Sequence, residues 1–304
     1  MRWVLKAATQ RALSTLPRAE RINYAFQRHV SHSLPLPEAA VRRKFKRALA
    51  HLAAYVEYGS GPPPEEGVFY EFGAGWDLTI PLAYWTLGVD RQIVLDIRAN
   101  LRFELLGETA RRLARLLPQL EATAGRSLRN PDALSVTTEK ELEERLGIRY
   151  LAPRDTRATG LGSGSVDFVS NTATLEHVPA ADLVPILAEC RRLLRTDGAI
   201  SSRVDLRDHY SYFDRTLSAY NFLRFGERTW RLLNPPLHYQ NRLRRPAYLR
   251  AFAAAGFTVV AEKIVRPNER DLEALGQIRL APDFASYPVE DVAVKAIHIV
   301  AKPA

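Results

Sequence analysis

The chain has 304 residues, 46% of them hydrophobic and 25% charged, with a formal net charge of +9. That length suits one large domain or a core with an appendage, and the balance is globular rather than disordered or fibrous. A single cysteine, Cys190, excludes an intrachain disulfide and a thiolate metal cluster and fits a reducing cytoplasm. No apolar run approaches the roughly 20 residues of a bilayer span. The positive charge is mostly arginine scattered through helical segments, which favours solvated helix faces and sites for anionic ligands over a nucleic-acid surface.

The stretch "MRWVLKAATQRALSTLP" starts basic, but Gln10 and Arg11 interrupt any signal-like apolar core. It reads as an amphipathic helix, with Trp3, Val4, Leu5, Ala8, Leu13 and Leu16 forming one broad face for packing on its own domain. Contact with a membrane surface through Arg2, Lys6, Arg11 and Arg18 is the alternative. Residues 1–60 form an expected N-terminal helical cap, closed by the helix-terminating "EYGSGPPPEEG". Residues 61–304 form the main domain. It opens with a strand over 68–72, a helix through 78–88, a strand over 92–97 and a long helix over 99–117. A helix at "TEKELEERLG", strands over 148–152 and 166–171, a helix over 180–195 and a strand over 199–206 continue the alternation. This spacing indicates βαβ units and a parallel sheet covered on both faces. An aromatic and basic cap segment interrupts it at about 207–250, before the helix at "RRPAYLRAFAAAG" and strands over 257–265 and 293–302.

"FYEFGAGWD" places a Gly-x-Gly turn, Gly73 and Gly75, directly after the first strand. Such a turn lets backbone approach a ligand and aims helix N–H groups at it. The third glycine of a dinucleotide fingerprint would fall at Leu78, so NAD and FAD are disfavoured. Asp96, about 20 residues on at the end of the second strand, is placed to accept ribose hydroxyls; a helix cap or an ion pair is its structural alternative. Glu71, an acid in an apolar strand, needs a cation or donor, which the cationic end of a ligand would supply.

With these residues in order, the chain resembles the class I S-adenosylmethionine-dependent methyltransferases. "YEFGAGWD" and "VLDI" are similar to the family's first two motifs, and 165–179 and 187–200 to its fourth- and fifth-strand regions. The resemblance implies a Rossmann-like doubly wound sheet, mostly parallel with an antiparallel last strand, and S-adenosyl-L-methionine as cofactor. It implies that Gly73, Ala74 and Gly75 line the methionine part, with Glu71 near the ammonium. Asp96 would take the ribose hydroxyls, Ile97 the adenine face and Asp155 the adenine amino group, with Asn171 and Thr172 flanking the sulfonium. Trp76 and Asp77 are bulkier than the residues usual after the second glycine.

An acceptor hydroxyl needs a base. "LEHV" offers Glu176 and His177 beyond the fourth strand, and "VDLRDHYSYF" offers His209, with Asp208 as a neighbour able to orient it. His209 ranks slightly above His177; the alternative is a polar loop for Asp208 and His209, and a helix-start residue bonded to backbone for His177. No metal-ligand spacing occurs, so no metal is expected. Aromatics from Tyr210 to Tyr239, interleaved with arginines from Arg215 to Arg245, suit flat acceptors, sugars or anions, or simply pack as a cover. The expectation is a cytoplasmic methyltransferase acting on oxygen of a small-molecule or sugar-type acceptor, with oligomeric state open. An RNA methyltransferase, suggested by the basic balance, and an inactive methyltransferase-like binding protein are the rivals.

Overall fold

The computed structural model describes residues 2–16, 19–30, 32–132 and 134–304; Arg18 and the side chain of Arg2 lie outside that description. Three helices come first: α1 (Arg2–Ser14), α2 (Ala19–His29) and α3 (Glu38–Tyr58). Then follow β1 (Val68–Phe72), α4 (Thr79–Thr86), β2 (Arg91–Leu95), α5 (Phe103–Arg115), α6 (Leu117–Ala124), α7 (Glu139–Leu146) and β3 (Ile148–Leu151). The second half holds β4 (Val166–Thr172), α8 (Ala180–Leu193), β5 (Leu194–Asp205), α9 (Glu227–Leu233), α10 (Arg245–Ala254) and β6 (Phe257–Val265). Three short helices, α11 (Glu269–Gly276), α12 (Pro282–Ala285) and α13 (Val289–Val292), precede β7 (Ala296–Pro303).

The strands form one sheet in the order β3-β2-β1-β4-β5-β7-β6. β7 runs antiparallel to both neighbours, whereas the pairs among β1 to β5 are parallel. This is the expected Rossmann-like sheet, with the antiparallel strand inserted between β5 and β6. All five residues of β1 are buried, as a parallel strand covered on both faces requires. Val41, Phe45, Ala48 and Leu52 of α3 join the core with α4 and α5 on one face. α8 and α10 cover the other face. Trp3 of α1 packs in a third cluster with Tyr210, Tyr220, Phe222 and Trp230, so the first helix is seated on the cap segment. Among the described residues no helix is long and apolar enough to cross a membrane.

Two boundaries differ from the sequence reading. The long helix expected over 99–117 starts at Phe103 and breaks at Leu116, because Pro118 has no N–H to continue the ladder and opens α6 instead. β5 begins at Leu194, since Val166 already pairs with Leu194 before a register shift. The chain order reverses between β1 and β4, which opens a crevice beyond the carboxyl ends of these strands. That crevice contains the glycine turn.

Candidate functional site

Gly73 and Gly75 have φ of +78° and +76°, a region costly for side chains. Their surroundings differ. A Cβ on Gly73 would collide with the Thr174 side chain, whereas one on Gly75 would find nothing within 4 Å. Gly73 is therefore required by packing, and Gly75 faces open space. Leu78, where a third glycine was missing, also takes positive φ, +46°, with its side chain fully buried. The backbone bends as a glycine would bend it, and core packing supports the strain.

Asp96 follows β2 with only 7% of its surface exposed. Its Oδ2 lies 3.4 Å from the Gly75 nitrogen, and its Oδ1 accepts from the Arg98 N–H at 3.1 Å. Burial raises its pKa, opposed by the Arg98 and Gly75 amides. Next to it Ile97 is 62% exposed, an apolar wall at the lip of the crevice. The loop after β3 joins here, with Arg154 N–H donating to the Asp96 carbonyl at 2.9 Å. In that loop the Asp155 carboxylate is held by Arg157 at 2.7 Å, which also reaches Asp182, and this pairing keeps it below the usual carboxylate range.

The bulky residues after Gly75 have defined roles. Asp77 accepts from the Thr79 N–H at the start of α4 and from Thr109 Oγ1, and lies 3.7 Å from Lys44. Trp76 stacks on Tyr24 of α2 with ring centroids 5.2 Å apart, and the Arg102 guanidinium lies over both rings. Ion pairs Glu20–Arg98 and Arg28–Glu108 tie α2 across the same edge. The second helix thus roofs the glycine turn.

The remaining expected site residues are placed as follows. Glu71 is buried beneath α3, accepting from Ser170 Oγ at 3.0 Å, with Lys44 nearby. Burial raises its pKa to about 8, against the pull of Ser170 and Lys44. Asn171 and Thr172 do not flank one group together, because successive strand residues face opposite sides of the sheet. Thr172 Oγ1 meets His51 Nε2 at 3.0 Å, and Asn171 Nδ2 donates to Ser202 Oγ at 2.7 Å on the other face. Asp208 does not orient His209. Its oxygens accept from the Tyr210 N–H and from Asn221 Nδ2, capping the turn that follows.

His177 and His209 do come together, with ring centroids 5.0 Å apart, and Glu176 joins them. Donor atoms of these three side chains all lie within 4.8 Å of one another, a set able to hold a metal ion or share protons. His177 Nδ1 donates to the Tyr239 carbonyl at 2.7 Å, so a neutral ring keeps its lone pair on Nε2. Glu176 Oε1 accepts from the Asp205 N–H, while Glu176 Oε2 and His209 Nε2 are buried without a partner. Burial acts oppositely on the two groups. It raises Glu176 to about 8 and, with repulsion from His177, lowers His209 to about 4.

Comparison with known proteins adds the following. Residues 111–202 match the family model described as a methyltransferase domain. The match spans β3, β4 and α8 and ends within β5, beyond the glycine turn. The ubiquinone biosynthesis O-methyltransferase of Nitrosococcus oceani is 34% identical over 124 residues, 40% of this chain and 48% of that protein. The chain therefore spans about half the length of this curated relative. Residues 111–202 are thus similar to a methyltransferase domain. Among solved structures, geranyl diphosphate C-methyltransferase from Streptomyces coelicolor A3(2) is 13% identical with a TM-score of 0.48, covering 90% of this chain and 86% of that one. The 1,6-didemethyltoxoflavin-N1-methyltransferase of Burkholderia thailandensis is 15% identical with a TM-score of 0.48, over 93% and 87%.

In the cap segment the aromatics mostly pack. Tyr210, Tyr220, Phe222 and Trp230 are buried, while Tyr212 and Phe213 are exposed. The cap arginines at its end are committed inside the protein. Arg242 donates to the Phe222 carbonyl and to Glu227, Arg244 to the Leu206 and Val292 carbonyls, and Arg245 to Glu262 and Asp291. A cavity of about 720 Å³ among Trp230, Asn234, Tyr239 and Arg242 lies in this cap. Glu176 was visible in the sequence beside His177 in "LEHV". No pattern linked it to His209, which lies 33 residues later.

Proposed function

We propose that this chain is an S-adenosylmethionine-dependent methyltransferase that methylates oxygen on a small-molecule acceptor, sugar-type acceptors included, in a cytoplasmic setting. The observation that carries the reading is the crevice at Gly75, a positive-φ backbone position with open space beyond it and the Asp96 carboxylate at its side. The Nitrosococcus relative supports oxygen as the acceptor atom. The lone buried Cys190 supports a reducing compartment.

The residues fit the cofactor. Gly73, Ala74 and Gly75 give the backbone cradle, Asp96 offers a carboxylate for vicinal hydroxyls, and Ile97 with the 152–155 loop gives an adenine wall. When bound, the cofactor supplies a methyl group already activated on a sulfonium, so the protein must align the acceptor and take its proton. Glu176 does the latter. Its Oε2 has no partner, and a carboxyl group near 8 is matched to base catalysis close to neutral pH. Glu176 would accept the acceptor O–H proton and release it to solvent. His177 Nε2 and His209 Nε2 hydrogen-bond the acceptor. His209, lowered to about 4, is a weak base. α2 and the cap exclude water from the edge. Arg242, Arg244 and Arg245 are bonded internally and so are withdrawn from any cationic surface for RNA, which leaves Arg215, Arg224, Arg228 and Arg231 exposed on the cap.

Calorimetry with S-adenosylmethionine tests the reading. Binding in the micromolar range is expected, and Asp96→Ala should weaken it by about a hundredfold, the loss of charge-assisted hydrogen bonds. Absence of heat at high micromolar cofactor would sink the proposal.

A further inference from the structure

A second cavity, of about 120 Å³, opens on the same edge of the sheet. It is lined by Ala173 after β4, by Arg203 to Asp205 at the end of β5, by Arg207, by Arg47 of α3 and by Lys295. Four of these residues are cations. Two are already neutralised. Arg207 grips Asp205 through two hydrogen bonds of 2.8 and 2.9 Å, and Lys295 reaches Asp271 at 2.5 Å. Arg47 and Arg203 are different. Both are half-buried, and among the described residues neither guanidinium has a carboxylate within 4.0 Å or a hydrogen-bond acceptor. Arg203 feels the charge of Arg47, which together with burial lowers its pKa, and Arg47 is lowered by burial. Desolvated like charges without partners are unfavourable unless an anion sits between them.

The location relates this pair to the methyltransferase reading. Ala173, in the cavity wall, is followed by Thr174, the side chain that presses on Gly73. Arg203 pairs in register with Thr172, at the carboxyl end of β4. Arg47 lies close enough to Glu176 and Asp205 to feel both charges, so the cavity adjoins the proposed base. An anion held here would be one short turn from the cofactor cradle on one side and beside Glu176 on the other.

We propose that Arg47 and Arg203 bind an anionic group, a carboxylate or a phosphate, on the acceptor itself. This rests on the methyltransferase reading and narrows its substrate class to acidic acceptors. Guanidinium forks suit both groups, because each presents paired oxygens to planar donors. The cofactor's own carboxylate has the same chemistry, and the experiment must separate it from the acceptor's.

The probes are inorganic phosphate and acetate, titrated separately into protein loaded with S-adenosylhomocysteine, with binding followed by NMR of the anion. Saturable binding is expected, weakened about tenfold or more by Arg47→Gln and by Arg203→Gln, while Arg203→Lys retains most of it. S-adenosylhomocysteine affinity should stay within about twofold, and the glutamine variants should melt no lower than the parent, because like charges have been removed. Equal anion binding in parent and variants means an adventitious ion only and overturns the proposal, as does absence of saturable binding. A parallel loss of S-adenosylhomocysteine affinity assigns the pair to the cofactor carboxylate and also overturns it. If the parent does not bind S-adenosylhomocysteine at all, the methyltransferase reading fails and the acceptor assignment with it. The same titration of unloaded protein then shows separately whether the arginine pair binds anions.

Discussion

The two sides of the crevice are built differently. The cofactor side, around β1 and β2, is mostly backbone: a glycine turn, one carboxylate beside an amide, and a roof of two stacked rings and an arginine. The acceptor side, beyond β4 and β5, is all side chain, with acids, imidazoles and guanidiniums drawn from α3, from the turn after β4 and from the cap. A backbone cradle recognises a ligand shared by many enzymes, whereas a side-chain cluster can be rewritten without moving the fold. The comparison predicts where substitutions should affect binding, chemistry or stability.

The largest effect belongs on the acceptor side. Glu176→Gln should lower kcat by about 10²- to 10⁴-fold with cofactor affinity intact. The parent's pH profile gives the sign. A base with its pKa raised to about 8 is active only when deprotonated, so turnover should fall as pH drops through about 8. If His209 were the base, its value of about 4 would leave turnover flat from pH 6 to 9. A flat profile combined with an active Glu176→Gln enzyme would return the role to the histidines.

On the cofactor side the two glycines divide binding from folding. Gly75→Ala puts a methyl group into the open crevice and should cost about tenfold in cofactor affinity, with a strain of roughly 1–2 kcal/mol from its positive φ. Gly73→Ala adds a collision with Thr174 to the same strain and should lower Tm more than Gly75→Ala does. Equal melting losses for the two would remove the distinction between a cradle and a packing glycine.

The asymmetry also explains what could be read from the sequence. A turn fused to a strand, and an acid about 20 residues on, are local patterns, so Gly73, Gly75 and Asp96 were found with the strands that carry them. Arg47 looked like any cation on a basic helix. Only the fold brings it to Arg203, 156 positions away in sequence. The role of the cap arginines stayed open for the same reason, since composition does not show that Arg244 spends its donors on the carbonyls of Leu206 and Val292. Residues 171 and 172 were assigned together from the resemblance, and strand geometry sends their side chains to opposite faces.

The smallest expected effect separates two acids that look alike. Glu71 and Glu176 are both buried, and each is raised from an ordinary 4.5 to about 8. In the folded protein each keeps its proton over a range where the unfolded chain has released it. The contribution of these two groups should therefore be greatest below pH 4.5, fall across 4.5 to 8, and level off above, by about 1.4 kcal/mol per pH unit for each group. The lowered histidines His209, His238 and His298 act oppositely as pH falls below about 6.5. Gln mimics the protonated acid, so Glu71→Gln should roughly halve that slope and raise Tm at pH 9 by about 2 °C or more, with no gain at pH 4. Glu176→Gln should do the same. Melting curves cannot distinguish the two acids, but turnover can, since Glu71 lies in the layer under α3 and Glu176 is the proposed base. Full activity in Glu71→Gln, with the flattened stability profile, would leave Glu176 as the buried acid that does chemistry. A loss of cofactor affinity in Glu71→Gln would instead return Glu71 to the methionine end of the cradle.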